Sequence, residues 1–122
     1  MNAKEKNRCH FIIHSAAVSA AGVGAGMAQI PGADVPTIVG IEIAMTIALG
    51  GVFGVSLTES TAKSIVLTTA GTIAGRGISQ GLVGWIPAFG NIINAGTAFA
   101  LVETLGWAIA NDFAKKENRN LE

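Results

Sequence analysis

The feature that most restricts this chain is where its charges are missing. Phe11 to Gly32 carries no charged residue, and Val35 to Leu57 carries only Glu42. A helix that buries one face and wets the other places charges every three or four residues, which these runs do not. They are too long for strands and show no sustained alternation, so they read as helices. The charges gather elsewhere: "NAKEKNR" opens the chain, "SLTESTAK" connects its halves, and "NDFAKKENRN" follows the last apolar run. Between connector and tail, only Arg76 interrupts the stretch up to Val102.

The expected fold is all-α, four long Gly/Ala-rich helices forming two duplicated helical hairpins in one domain, 1–122. The first helix covers Ala3 to Gln29, opened by a capping box of Asn2 and Glu5 and stopped by Pro31 and Gly32. The second starts at Asp34 as N-cap, with Pro36 in its first turn, and ends at Phe53 with Gly54 as C-cap. The third begins at Ser56 or Thr58, with Ser56 and Glu59 as a second capping box, and reaches Val83. The fourth starts between Pro87 and Asn91 and runs to Lys115 or Lys116. Pro31, Gly32, Asp34, Pro87 and Gly90 form two Ile-Pro turns. An offset of 56 residues aligns Ile30 with Ile86, Pro31 with Pro87, Gly40 with Gly96, Ala44 with Ala100, Leu49 with Leu105 and Gly50 with Gly106. The repeats span about 11–55 and 64–113. One hairpin alone cannot cover its own apolar surface, which favours pairing of the two.

Mean hydropathy is +0.51 and charged residues make up 13%, about half the average share. Phe11 to Ile30, Val35 to Leu57 and Gly77 to Val102 approach the roughly 20 apolar residues that cross a bilayer. The connector and both termini hold the basic residues Lys4, Lys6, Arg8, Lys63, Lys115, Lys116 and Arg119, while the Ile-Pro turns hold none. Spanning helices would therefore put every such cation on one side, the cytoplasmic one. The expected location is the bacterial inner membrane with cytoplasmic termini; the alternative is the cytoplasm. Lys4, Lys6 and Arg8 imitate a secretory leader, but the apolar stretch after them is too long for one. Against spanning, the helices are rich in Gly, Ala, Ser and Thr, and Thr68, Thr72, Arg76 and Gln80 form a polar stripe. Small-xxx-small spacing occurs at Gly22 and Gly26, Gly50 and Gly54, Gly71 and Gly75, and Gly77 and Gly81, where two backbones can approach.

Glu42 lies 11 residues after Pro31, and Arg76 lies 11 before Pro87. In antiparallel hairpins the two share a depth and can form a buried ion pair. The alternatives are a protonated Glu42 or one that meets water at a subunit seam. Glu103 marks a possible subunit contact or a solvated face, and with Glu42 it could line a proton or ion path.

Other motifs fail. His10 and His14 sit one turn apart beside Cys9, yet Cys9 points away from their face, so no metal or other cofactor is expected. "GVGAG" and "GRGISQG" follow no strand and lack the ending of a phosphate loop. No catalytic triad is placed, and no enzyme is expected. Zero net charge and scattered cations exclude a nucleic-acid face. Trp85 and Trp107 suit either an interface or a core.

The stretches "HSAAVSAAGVGAGMAQIPGADVPTIVGIEIAMTIALGGVFG" and "WIPAFGNIINAGTAFALVETLGWAIANDF" resemble a bacterial domain-of-unknown-function family. That family occurs alone, in YcjF-like inner-membrane proteins, and attached to Era-like GTPase domains. The resemblance covers about His14 to Phe113 and is carried by "IPGAD", "IPAFGNIIN" and "TLGWAIA". It implies an all-helical, membrane-associated module without catalytic residues, and a separately encoded GTPase as partner. The expectation is a non-enzymatic membrane module that self-associates. The alternatives are a soluble homo-oligomeric scaffold and a small pore or ion-conducting assembly.

Overall fold

The computed structural model describes residues 1–27, 35–75 and 95–121, with side chains described over 1–22, 39–73 and 99–117. These residues form four helices and no strand: α1 (Ala3–Met27), α2 (Val35–Val52), α3 (Glu59–Gly75) and α4 (Ala95–Leu121). The all-α expectation holds. Both Ile-Pro turns, with Pro31, Gly32, Asp34, Pro87 and Gly90, lie outside the described residues.

Local chemistry sets the visible helix ends. At the start of α1 the Asn2 side chain accepts from the Glu5 amide at 2.8 Å, and the Asn2 amide donates to Glu5 Oε1 at 2.9 Å. This reciprocal pair satisfies two amides that the helix leaves unbonded. Helix α2 stops at Gly54, whose φ of +74° is open to glycine without strain. The Val55 amide bonds back to the Gly50 carbonyl at 2.8 Å and the Gly54 amide to Gly51 at 3.3 Å, a Schellman ending. Residues 55–57 then fold back over Gly50. As a result α3 is capped later than Ser56: Thr58 Oγ1 accepts from the Thr61 amide at 3.1 Å.

Helix α1 packs most extensively on α4, and α2 touches α1, α3 and α4. Among the described residues α1 and α3 do not meet, so α2 and α4 form the inner diagonal of the bundle. The core joins Ile13 and Ala17 of α1, Met45 and Leu49 of α2, Val66 of α3, and Leu105 and Ile109 of α4. Some positions 56 residues apart share an environment. Met45 and Leu101, Leu49 and Leu105, and Gly50 and Gly106 are all buried, whereas Ala44 and Ala100 are exposed. Ile47, Ala48 and Gly51 are exposed while their counterparts Glu103, Thr104 and Trp107 are half-buried, and at Gly54 the counterpart Ala110 lets α4 run on.

Side-chain contacts fix direction. His10 lies against Trp107 and His14 against Phe99, so α1 and α4 are antiparallel. Phe53 meets Phe113, which brings the α2–α3 connection to the end where α4 finishes and α1 begins.

Candidate functional site

That topology converts the order of charges along the chain into a separation in space. Lys4, Glu5, Lys6 and Arg8 begin α1, Asp112, Lys115, Lys116 and Glu117 lie late in α4, and Glu59 and Lys63 begin α3. All occupy one end of the bundle; Lys116 bonds Asp112 at 3.0 Å, and Glu117 lies beside Glu5. Past this band the described charges are Glu42 and Glu103 alone. From Phe11 to Met27 α1 rises about 25 Å without a charge. Its exposed surface includes Phe11, 73% exposed, and Val18, 53% exposed; Leu67 of α3 is exposed as well. The outward face of α2, made by Gly40, Ala44, Ile47, Ala48 and Gly51, holds no polar side chain.

Glu42 sits on the inner side of α2 and is 0% exposed. Neither carboxyl oxygen has a hydrogen-bond partner among the described residues. The nearby Thr46 hydroxyl donates instead to the backbone carbonyl of Glu42, at 2.8 Å. Burial disfavours the charged form and raises the pKa of Glu42 to about 8, so the acid is mostly protonated at neutral pH. Arg76, the partner anticipated from sequence, lies outside the described residues, and the pair with it.

Glu103 is tied to its own chain. His14 Nδ1 lies 3.2 Å from Glu103 Oε1 across the α1–α4 groove, with the histidine side chain 53% and the glutamate 22% exposed. His10 stacks on His14 with ring centroids 5.7 Å apart, so the two rings and Trp107 line this groove. No sequence spacing announced the contact, which joins residues 89 positions apart. Among the described residues no group of three or more His, Cys, Asp or Glu is placed to hold a metal ion. Cys9 is buried in the core, and burial pushes its thiol pKa up, with Glu5 adding to the shift, which leaves it unreactive.

Two of the glycines singled out by spacing make no helix contact within the described chain. At Gly22 and Gly71 an added Cβ would meet nothing within 4 Å among the described residues, so neither sits under a neighbouring helix there. Gly54 serves the Schellman turn, and Gly50 makes room for it: its Cβ would come within 2.9 Å of the Val55 carbonyl oxygen and of Leu57. Gly26 and Gly75 fall within the last turns of α1 and α3, while Gly77 and Gly81 lie outside the described residues. The close helix approach belongs to Gly106, absent from the expected pairs. A Cβ there would stand 2.8 Å from both γ-carbons of Ile13 and 3.0 Å from Met45 Sδ. Its alignment with Gly50 was the signal available for it.

No described helix is long and apolar enough to cross a membrane. Helix α2 is the most apolar, but its 18 residues give about 27 Å against a hydrocarbon core of about 30 Å. The other three begin or end in the charged band. No family model matches the chain, and no curated protein or solved structure matches it either.

Proposed function

We propose that this chain is a non-enzymatic helical module that seats its uncharged part against a membrane and associates with copies of itself. The observation that carries the reading is the segregation of charge along the bundle axis. A bundle wetted on all sides needs charges of both signs distributed over its surface. Here a band of six described cations and four described anions caps one end, and the exposed surface past it offers Phe11, Val18, Ile47 and Leu67. The module associates by lowering one side of the bundle into one leaflet, its charged band staying in the cytoplasm at the bacterial inner membrane. The bare α2 face around Gly40, Ala44 and Ala48 permits close approach of a second copy, because small residues let backbones touch where lipid supplies no hydrophobic drive. A GTPase partner joins the reading through the family resemblance alone, and co-purification on the tagged chain tests it.

A soluble homo-oligomer is the second reading, favoured by the hydroxyl-rich exposed face of α3, with Ser60, Ser64, Thr68 and Thr72. A pore using Glu42 would have to conduct through the inside of a bundle, since that side chain faces the core of its own chain. Fractionation and light scattering without detergent separate the two leading readings. Recovery in the membrane fraction, and a dispersed particle only with detergent, is expected. A monodisperse particle in plain buffer that ignores vesicles overturns the membrane reading.

A further inference from the structure

We infer that the outward face of α1 is the surface that meets lipid, and that the bilayer it selects is anionic; this rests on the membrane reading above. The core face of α1 is Cys9, Ile13, Ala17 and Ala20, all fully buried. Opposite it, at helical spacing, stand Lys4, Arg8, Phe11, Ser15 and Val18, all exposed. Phe11 is the most exposed large apolar side chain described, and it borders an open recess shared with Asn7, Arg8 and Ile12. Exposing a phenyl ring to water costs free energy that nothing on this face recovers.

Cations and apolar groups are ordered by depth on this helix. Lys4, Lys6 and Arg8 crowd its first two turns, and the one anion among them, Glu5, is engaged by the Asn2 amide in the cap. Phe11 follows Arg8 by about 4.5 Å of helix rise and Val18 by about 15 Å. With the ammonium and guanidinium groups at the phosphate level, Phe11 reaches the boundary between headgroups and acyl chains, where interfacial helices bury their apolar face. The exposed face of α2 lacks this order, having no cation and only Ile47 as a large side chain. Charge complementarity therefore assigns α1 to the anionic bilayer surface, through electrostatic attraction and aromatic insertion together.

The test is flotation of the full chain with phosphatidylcholine vesicles, with and without phosphatidylglycerol. The wild type is expected to float with both and to bind more tightly when phosphatidylglycerol is present. Phe11→Ser should weaken binding to either vesicle by about tenfold or more, and Phe11→Trp should strengthen it. The double variant Lys4→Gln/Arg8→Gln should lose the preference for phosphatidylglycerol, about fivefold per cation, and keep its binding to neutral vesicles. Ile47→Ser should stay within about twofold of wild type. Circular dichroism melts keep each comparison among folded chains. If the wild type floats but Phe11→Ser binds equally well, or phosphatidylglycerol makes no difference, this assignment is overturned while the membrane reading stands. If the wild type ignores both vesicles, the membrane reading itself falls.

Discussion

Replacing Glu42 by glutamine should stabilise the protein at pH 8 but not at pH 5, because the advantage grows with pH. Burial carries the acid from 4.5 to about 8 in the folded chain. Between those values the folded state keeps a proton that the unfolded state has released, so folding takes one up. The folded pKa is the higher one, and stability is accordingly full below about pH 4.5 and falls until about pH 8. The slope approaches 1.4 kcal/mol per pH unit, with a total on the order of 5 kcal/mol. Glutamine cannot ionise and removes this dependence. It does bury two amide donors, at a cost of about 1–3 kcal/mol if they stay unbonded. The variant should thus match or trail wild type at pH 5 and lead by roughly 2–3 kcal/mol at pH 8. Guanidinium melts followed by circular dichroism at pH 5, 6, 7 and 8 measure this, in detergent sufficient to keep the chain monodisperse. The difference between variant and wild type cancels all other titrating groups. A difference between variant and wild type that stays flat or shrinks from pH 5 to 8 would refute the argument. So would a glutamine variant that is weaker at pH 8, the signature of an ionised Glu42 held by a cation.

Gly106→Ala should destabilise by about 1–3 kcal/mol, because the added methyl strikes the stiff β-branched Ile13 and α1 must shift. Pairing it with Ile13→Ala should cost less than the two single changes summed, as measured by a double-mutant cycle of denaturant melts. Gly22→Ala and Gly71→Ala meet open space in helices and should each stabilise by about 0.5–1 kcal/mol in thermal melts. Gly54→Ala should cost about 1–2 kcal/mol because φ is positive there, with Gly54→Asn milder by the same assay. Asn2→Ala removes the cap of α1 and should cost about 1 kcal/mol in denaturant midpoint.

Capping was legible at Asn2 and Glu5 because it is a local exchange of two hydrogen bonds between residues three apart. Of the two starts offered for α3 the chain takes Thr58 and not the Ser56–Glu59 box, since the Schellman turn uses residues 55–57 to cross over Gly50, a contact that no spacing rule contains. Glycine spacing did not find the close approach within the chain for a related reason. It reports that two residues lie on one side of a helix but not whether that side faces a neighbour. Gly22 and Gly71 turn outward, while Gly106 turns in and had only its repeat partner to betray it. The His14–Glu103 contact needed the antiparallel register of α1 on α4, which is a tertiary fact.

The ordering of charge was the most legible property, and topology explains why. In an up-and-down chain of four helices, both termini and the middle connection share one end, so three separated charged segments become a single band. That conversion needs no knowledge of side-chain contacts. It also shows where the economy stops. Glu42 breaks the pattern in mid-helix, and its fate depends on which side of α2 points inward, a matter of about 100° of rotation per residue. One position along, at Ile43, the same acid would be half-buried, and two along, at Ala44, it would face solvent as an ordinary anion. The buried acid and the charge-poor surface thus answer to different levels of organisation. The surface follows from segment order, and the acid follows from helix phase.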